Sequence, residues 1–376
     1  MIFVIAWINL LIWAWLLLGH GRFWLSGPAL TSTPSTQRQL KVTVVVPARD
    51  EADHVEETLR SLLAQNFEGD LRVVLVYDNS TDATADVARK IMEGDRRLRV
   101  VTGEPLKPGW TGKMWTVSQG LKQVEALEAD YVLLTDADVF HGPEHLAALA
   151  AKAEQEQLDL VSEMVRLRCE SFAERATIPA FVFFFQMLYP FRWVGNPKRG
   201  TAAAAGGTML LSRKALDRIE GVERISGELI DDVALAREIK RGGHRIWLGH
   251  ADAAVSERRY PRFEDVWEMI ARTAYVQLGY SPWMLMGTFV GLLLVYVEPV
   301  LVTLFAAGTV RWFGVTCWLM MAVAFQPTLR RYRCSPAWGP ALPAIALFYL
   351  LATLTSAIRF HQGKGGRWKS RVYPAA

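Results

Sequence analysis

The chain has 376 residues, of which 51% are hydrophobic, including 14 Trp and 17 Phe. Its 42 basic and 38 acidic side chains nearly balance, giving a net charge of +4, and this balance does not suggest nucleic-acid binding. The three cysteines are far apart and have no metal-ligand spacing. They argue against a disulfide framework and fit a reducing compartment.

An uncharged apolar segment opens the sequence, at residues 1–18. At about 1.5 Å per helical residue it nearly crosses a bilayer core of roughly 30 Å. A cleaved signal peptide is the alternative, but it would begin with a charged region and end at a small-residue cleavage site, and we find neither. We therefore predict a transmembrane anchor over residues 1–21 and a linker over residues 22–40.

Strand and helix patterns then alternate along the chain. Runs rich in β-branched residues, without polar alternation, predict strands that are buried on both faces. The predicted strands cover residues 42–46, 71–77, 98–102 and 131–135. The predicted helices between them cover residues 50–63, 82–93 and 113–127. This alternation predicts an α/β fold with a mostly parallel sheet flanked by helices, in which ligands bind beyond the carboxyl ends of the strands.

Asp136 and Asp138 directly follow the last of these strands, in YVLLTDADVF. Residues i and i+2 of a strand point the same way. Mg²⁺ and Mn²⁺ prefer oxygen ligands, commonly one or two carboxylates together with substrate phosphates. We predict that Asp138 holds such an ion and that Asp136 assists. Taken alone, a DxD sequence is also compatible with a solvated turn.

Two other polar clusters end neighbouring strands and should lie on the same rim of the sheet. The first is the turn after residue 46, whose predicted nucleotide-contacting residues are Pro47, Ala48, Arg49 and Glu51. The second contains Asp78, whose carboxylate can accept a hydrogen bond from a nucleotide base. An Asx turn or a helix cap is the structural alternative for Asp78.

Two charged motifs mark the starts of later helices. Lys113, in GWTGK, opens a helix whose macrodipole disfavours a cation there, so we expect an anionic partner such as a phosphate. Asp231 and Asp232 precede a predicted helix over residues 233–241. One carboxylate suffices as a helix cap, and the other is then available as a general base for an acceptor hydroxyl.

The aromatic segment IPAFVFFFQMLYPF, residues 178–191, is too short to span a bilayer. A core helix is one interpretation, and a helix lying in the membrane interface, where an acceptor would arrive, is the one we favour. The seven histidines show no HExxH or triad-like setting, and Gly142-Pro143 prevents His141 and His145 from sharing a helical face. We interpret all seven as structural or surface residues. The sequence has no GxSxG elbow, which argues against a serine hydrolase.

Three apolar stretches with aromatic edges, at residues 283–307, 312–325 and 338–358, predict a C-terminal bundle of membrane helices within residues 283–358. A basic tail follows at residues 359–376. By the positive-inside rule the soluble domain, residues 41–282, faces the cytoplasm. We also place the tail there, which requires one apolar stretch to be re-entrant or interfacial, with breaks at Pro340 and Pro343 or at Glu298-Pro299.

Over about residues 42–275 the motifs resemble the family 2 inverting glycosyltransferases of the GT-A fold. VVVPARDEADHVEETLRSLLAQ is similar to the family's opening PxxNE region, VYDNSTDAT to its DDGSxDxT segment, TDADV to its DxD and IDDVALAREIKRGG to its TEDxxLxxRLxxxG segment. Asp50 and Tyr77 depart from the first two patterns. The resemblance implies that Asp78 contacts the base, that Asp136 and Asp138 bind the metal, and that Asp232 is the catalytic base with Asp231 beside it.

The family's QxxRW motif is reduced to Arg272, in MIART, which the resemblance would place near the diphosphate. This loss argues against a processive polysaccharide synthase, although that activity stays an alternative. PGWTGKMWTVSQG, NPKRGTAAAAGGTMLLSRKAL and GGRWKSRVY resemble the hopene-associated glycosyltransferases. That resemblance implies sugar transfer from a nucleotide diphosphate sugar, expected to be a UDP-sugar, to a hydroxyl of a hopanoid or related isoprenoid lipid in the cytoplasmic membrane. A non-catalytic membrane scaffold with a degenerate nucleotide-sugar domain is the other alternative.

Overall fold

The computed structural model describes residues 2–30, 39–365, 367–368 and 371–372. Parts of the predicted linker, the predicted basic tail and the GGRWKSRVY motif lie outside the described residues. The strands are β1 Lys41–Ala48, β2 Asp70–Tyr77, β3 Leu98–Thr102, β4 Tyr131–Leu134, β5 Val139–His141, β6 Leu160–Arg166, β7 Met209–Ser212, β8 Ile246–Ser256, β9 Arg367–Trp368 and β10 Arg371–Val372. The helices are α1 Ile2–Leu18, α2 Val55–Leu63, α3 Thr84–Gly94, α4 Gly112–Ala126, α5 His145–Glu156, α6 Phe172–Leu188, α7 Phe191–Val194, α8 Arg213–Arg218, α9 Asp231–Arg241, α10 Phe263–Gln277, α11 Pro282–Leu292, α12 Glu298–Phe305, α13 Gly308–Arg331 and α14 Leu342–His361.

Within the described residues, β1 to β8 form one sheet in the order β3-β2-β1-β4-β7-β6-β8-β5. The pairs β3–β2, β2–β1, β1–β4 and β6–β8 are parallel, whereas β7 is antiparallel to both of its neighbours and β5 is antiparallel to β8. The predicted α/β fold, with a mostly parallel sheet flanked by helices, is confirmed. The carboxyl ends of β1, β2 and β4 meet on one rim, as the alternating pattern predicts.

The β-branched runs form strands that are covered on both faces. In β1, Val44 and Val46 belong to one hydrophobic core with Leu59 of α2, while Val45 belongs to a second core with Val117 of α4. All of these side chains are buried. Because successive side chains of a strand point to opposite faces, continuous apolar residues supply both cores at once.

The first predicted helix starts later than the sequence pattern indicates. Residues 50–54 form a turn, and α2 begins at Val55. Asp50 has φ +51°, a left-handed conformation that an α-helix cannot contain. Its carboxylate accepts a 2.7 Å hydrogen bond from the backbone N–H of Thr81. The turn after β1 is thus tied to the turn after β2, which keeps it at the rim of the sheet.

Three helical segments of the described chain are long and apolar enough to cross a membrane, namely Pro282–Phe305, Gly308–Arg331 and Leu342–His361. The first of them joins α11 to α12 through a π-helical turn, Leu293–Val297. Pro343 lies in the first turn of α14, where the missing N–H costs no helical hydrogen bond. Pro299 lies inside the continuous segment Pro282–Phe305, just after the π-helical turn. The helical path continues through both prolines, and Pro340 lies before α14 begins. The N-terminal α1 is also apolar but has only 17 residues.

Helix α14 lies alongside α10 of the sheet domain. The rings of Phe348 and Trp267 are 5.2 Å apart at one end of the contact. At the other end, Arg359 forms a bidentate ion pair with Glu268, with both distances 2.6 Å. Helix α14 is therefore attached to the sheet domain at two separate points.

The aromatic segment near residue 180 belongs to α6, which is longer than predicted and begins with a capping box between Ser171 and Glu174. Val182 and Phe183 are fully buried, and α6 packs against α10, α13 and α14. The structure favours the core-helix interpretation over an exposed interfacial helix. This helix joins the sheet domain to the apolar C-terminal helices.

Candidate active site

A cavity of about 930 Å³ opens beyond the carboxyl ends of β1 and β4. It brings together most of the site residues that the sequence predicts, namely Pro47, Glu51, Lys113, Asp136, Asp138, Asp231, Asp232 and Arg272. Ala48, Arg49 and Asp78 lie beside it and do not line it. Arg49 Nη1 donates to the backbone oxygen of Asp78 at 2.7 Å and contacts its carboxylate at 3.3 Å, so these two residues form a buried support next to the rim.

Lys113 occupies the centre of the acidic cluster. Its Nζ lies 3.0 Å from Asp136 Oδ1 and 3.2 Å from Asp231 Oδ2. Burial alone would lower the pKa of Lys113, but the carboxylates of Asp136, Asp231 and Asp232 outweigh burial and raise it. The anionic partners that the sequence requires for this lysine at a helix start are therefore carboxylates of the protein itself.

Asp232 is positioned by two backbone N–H groups. Its Oδ2 accepts from Gly206 at 2.9 Å, and its Oδ1 accepts from Val233 at 2.8 Å. Burial, with a contribution from the charge of Asp231, raises the pKa of Asp232 to about 7, although Lys113 and the two hydrogen bonds oppose the shift. A carboxylate with a pKa near neutrality can accept a proton at physiological pH and release it again, as a general base requires.

Neither aspartate occupies the N-cap position of α9. Helix α9 begins at Asp231 itself, after Ile230, which has no polar side chain. Asp231 is directed to Lys113. Asp232 accepts from Gly206 and also from the N–H of Val233 in the first turn of α9. A Cβ at Gly206 would lie 3.2 Å from Lys113 Nζ, and one at Gly207 would lie 2.8 Å from a methyl group of Val165. The small residues of this loop therefore permit its close approach to the cluster, a role that the sequence reasoning did not assign.

Arg258 is a site residue that the sequence reasoning missed. Its Nε lies 2.7 Å from Asp138 Oδ2, and its Nη2 lies 2.8 Å from Glu51 Oε1. Burial would lower the pKa of Arg258, but the negative charges of Asp138 and Glu51 outweigh burial and raise it. The residue follows β8 by two positions. No strand is predicted there from the sequence, so the usual signal, a polar residue just beyond the end of a strand, did not identify Arg258.

The donor set around Asp136 and Asp138 suits an ion that arrives with a diphosphate. No cluster of three or more His, Cys, Asp and Glu side chains that could hold a metal exists among the described residues. Both DxD carboxylates line the cavity. Burial, together with the charges of Asp138 and Asp231, raises the pKa of Asp136, although Lys113 opposes the rise. Since Mg²⁺ and Mn²⁺ commonly bind one or two carboxylates plus substrate phosphates, the residues fit such an ion.

The other half of the cavity is apolar. Its wall comes from α6, α10, α11 and α14, and it includes Phe181, Phe184, Phe185, Leu188, Leu278 and Leu292. Where this wall meets the acidic cluster, Gln277 Nε2 donates to the Tyr189 hydroxyl at 2.5 Å. Burial raises the pKa of Tyr189 and the charge of Asp232 adds to this rise, while the Gln277 bond opposes it. A single cavity thus connects carboxylates to an apolar surface.

Comparison with known proteins gives relatives for the sheet domain. An uncharacterized glycosyltransferase of Bacillus subtilis, EpsJ, is 29% identical over 120 residues, which are 32% of this chain and 32% of EpsJ. A poly-beta-1,6-N-acetyl-D-glucosamine synthase of Staphylococcus aureus is 32% identical over 97 residues, which are 26% of this chain and 21% of the synthase. The chain thus covers about a third or less of the length of these relatives.

A solved structure shares the fold over almost the whole chain. The mannosyltransferase PcManGT from Pyrobaculum calidifontis, in complex with GDP-Man and Mn²⁺, covers 99% of this chain and is itself covered completely, with a TM-score of 0.61 and 18% identity. The family model described as "Glycosyltransferase like family 2" matches residues 39–275, which is more than half of the chain. The protein is therefore a member of glycosyltransferase family 2.

Proposed function

We propose that the protein is a membrane-bound glycosyltransferase that transfers a sugar from a nucleotide diphosphate sugar to a hydroxyl of a hopanoid or related isoprenoid lipid. One observation carries the proposal: the cavity that contains Asp232 and the DxD carboxylates continues into an apolar wall formed by α6 and the C-terminal helices. A polysaccharide acceptor would not need such a wall. An amphiphilic acceptor would place its hydroxyl among the carboxylates and its hydrocarbon against the phenylalanines.

The donor is assigned to the polar half of the cavity, and a UDP-sugar is the donor we propose. Asp136 and Asp138 would hold Mg²⁺ or Mn²⁺, which when bound supplies Lewis-acid stabilisation of the departing diphosphate. Pro47, Ala48, Arg49, Glu51 and Asp78 would form the nucleotide side of the site. Lys113 and Arg272 add positive charge for the diphosphate.

Asp232 is the proposed catalytic base, and Asp231 its partner. Asp232 accepts the proton of the acceptor hydroxyl while the acceptor oxygen bonds to the anomeric carbon. The bond from that carbon to the diphosphate breaks on the opposite face, so the configuration inverts and no covalent enzyme intermediate is needed. The backbone N–H of Gly206 holds Asp232 at 2.9 Å and fixes the direction of its carboxylate.

The proposed topology is a multi-pass protein of the cytoplasmic membrane, with the catalytic domain in the cytoplasm. Helix α1 packs against α12 and α13, which supports an antiparallel bundle of α1, α11–α12 and α13 as the crossing helices. Arg331, at the end of α13, donates to Asp252 of β8 at 2.7 Å, and Arg359, at the end of α14, pairs with Glu268. The residues just before and at the end of α14 thus both contact the catalytic domain. This supports an α14 that lies in the membrane interface and a cytoplasmic tail.

The test is mass spectrometry of lipids from cells with and without the gene, combined with an assay of the purified protein in lipid with UDP-sugars and Mn²⁺. We expect one glycosylated lipid to disappear on deletion and one sugar to be added per lipid in vitro. Unchanged lipids together with polymeric sugar products would refute the proposal in favour of a polysaccharide synthase.

A further inference from the structure

A buried chain of polar side chains lies directly behind the DxD carboxylates. Glu163 Oε2 is 2.7 Å from His145 Nε2, His145 Nδ1 is 2.9 Å from His141 Nδ1, and His141 Nε2 is 2.9 Å from Thr135 Oγ1. Each of the four residues is only 1% exposed. The two imidazole rings stack with their centroids 5.0 Å apart, although Gly142-Pro143 separates them into β5 and α5. From the sequence we interpret these histidines as structural or surface residues and do not predict that they contact each other.

This chain closes the loop that carries the metal carboxylates. Thr135 comes directly before Asp136, and His141 ends β5, three residues after Asp138. The bond between Thr135 and His141 therefore joins the two ends of the segment that contains both aspartates. Because this segment is held at both ends, its two carboxylates have less freedom to move when a divalent ion binds.

The same hydroxyl connects this loop to the general base. Thr135 Oγ1 donates to the backbone oxygen of Gly207 at 2.8 Å. The preceding residue, Gly206, donates its N–H to Asp232. Through one hydroxyl group, the loop that carries the metal carboxylates is therefore fixed relative to the loop that orients the base.

Counting protons identifies the donor and the acceptor in the hydrogen bonds of this buried group of side chains. A hydroxyl has one proton, and the oxygen of Gly207 can only accept, so Thr135 donates to Gly207 and accepts from His141 Nε2–H. His141 Nδ1 then accepts from His145 Nδ1–H, and His145 Nε2 faces Glu163 Oε2 at 2.7 Å.

Burial also limits what these four hydrogen-bonded side chains can do. Glu163, His145 and His141 do not line the cavity of about 930 Å³. Thr135 cannot reach a substrate, so the arrangement is not a nucleophile activated by histidine, despite its similarity to a hydroxyl–imidazole–carboxylate triad. Its members can act only through the residues they hold in place.

We infer that Thr135, His141, His145 and Glu163 form a positioning network that sets the metal-binding carboxylates against the catalytic base. The inference rests on the proposed function of the site. Residues behind metal ligands commonly change metal affinity by about 10- to 100-fold when they are replaced. The loss expected from breaking this network falls in that range.

The experiment compares Thr135→Val, which keeps the shape but removes the hydroxyl, with Thr135→Ser, which retains it. Calorimetry with UDP is done with and without Mn²⁺ on the full-length protein in lipid, together with turnover. We expect Thr135→Val to weaken Mn²⁺-dependent UDP binding about tenfold and to lower kcat by a similar factor, with metal-free UDP binding unchanged. Thr135→Ser should stay within about twofold of the wild type.

If Thr135→Val does not fold, His141→Phe replaces it, because phenylalanine retains the ring but cannot bond Thr135. The same tenfold loss is expected. Wild-type binding of Mn²⁺ and UDP by either folded variant would overturn the inference while leaving the proposed function intact. A wild-type protein that binds neither UDP nor GDP with Mn²⁺ would overturn the proposed function and the inference with it.

Discussion

The guanidinium of Arg258 binds the carboxylate of Asp138, with Nε and Oδ2 2.7 Å apart, and it bridges this residue to Glu51. The oxygen that Arg258 contacts belongs to the carboxylate that we assign to the metal ion. A cation of the protein and a divalent ion from solution therefore compete for the same ligand.

Replacing Arg258 should consequently strengthen the binding of Mn²⁺ alone. A partly exposed ion pair contributes about 1 kcal/mol, which corresponds to roughly a fivefold change in affinity. Arg258→Gln is expected to bind Mn²⁺ about fivefold more tightly, as measured by the electron paramagnetic resonance signal of the free ion. The neighbouring exposed Arg259→Gln is the matched control and should not change. Weaker Mn²⁺ binding by Arg258→Gln would contradict the competition.

Removing the metal ligand itself should have the opposite effect. Asp138→Ala deletes the carboxylate that is the more buried of the DxD pair, with a side chain 10% exposed against 38% for Asp136. We expect UDP binding to lose its dependence on Mn²⁺ while metal-free binding persists, as measured by calorimetry with and without the ion. If Mn²⁺ still tightened UDP binding in this variant, another ligand set would have to hold the ion.

Asp232→Asn tests the general base. The amide cannot accept the proton of the acceptor hydroxyl, and general-base catalysis typically contributes about 10²- to 10⁴-fold. Turnover should fall by that factor, with Mn²⁺-dependent UDP binding within about twofold of the wild type. Asp217→Asn, on the exposed surface of α8, serves as the control. Normal turnover by Asp232→Asn would remove this residue from the mechanism.

The pH dependence of kcat/KM follows from the pKa of Asp232, which burial raises to about 7. Below that pH the carboxyl is protonated and cannot act as a base, so the rate should fall about tenfold per pH unit on the acidic side and level off above pH 7. Because Lys113 lowers the pKa of Asp232, Lys113→Met should move this acidic limb to higher pH. Lys122→Met, an exposed change on the same helix, should leave it in place. If the acidic limb of the Lys113→Met profile stayed at the wild-type pH, the pH dependence of kcat/KM would not arise from Asp232.

The sequence predicts the parts of the site that depend on local pattern. Runs of mostly apolar residues identify β1, β2 and β4. The end of β4 identifies Asp136 and Asp138, because a parallel sheet brings the ends of these strands together. Arg258 was missed because its contact with Asp138 spans 120 positions and depends on how β8 pairs with β5 and β6. No local pattern contains that pairing.

The histidine network was missed for a related reason. The i,i+4 spacing of His141 and His145 suggests contact only within a helix, and Gly142-Pro143 excludes a shared helical face. They meet because β5 ends where α5 begins, and because β6 brings Glu163 to the same point. The late start of α2 has the same origin, since Asp50 is held out of the helix by Thr81, which lies 31 positions away.

The last prediction concerns the side of the membrane on which the chain ends. If α14 crossed the bilayer, Arg331 before it and Arg359 after it would lie on opposite sides, yet both pair with acids of the sheet domain, Asp252 and Glu268. An epitope tag after Ala376 should therefore be labelled only after the cells are permeabilised. A tag inserted between α12 and α13, before Gly308, should be labelled on intact cells. Labelling of the C-terminal tag from outside intact cells would show that α14 spans the membrane and that the ion pair of Arg359 with Glu268 does not form there.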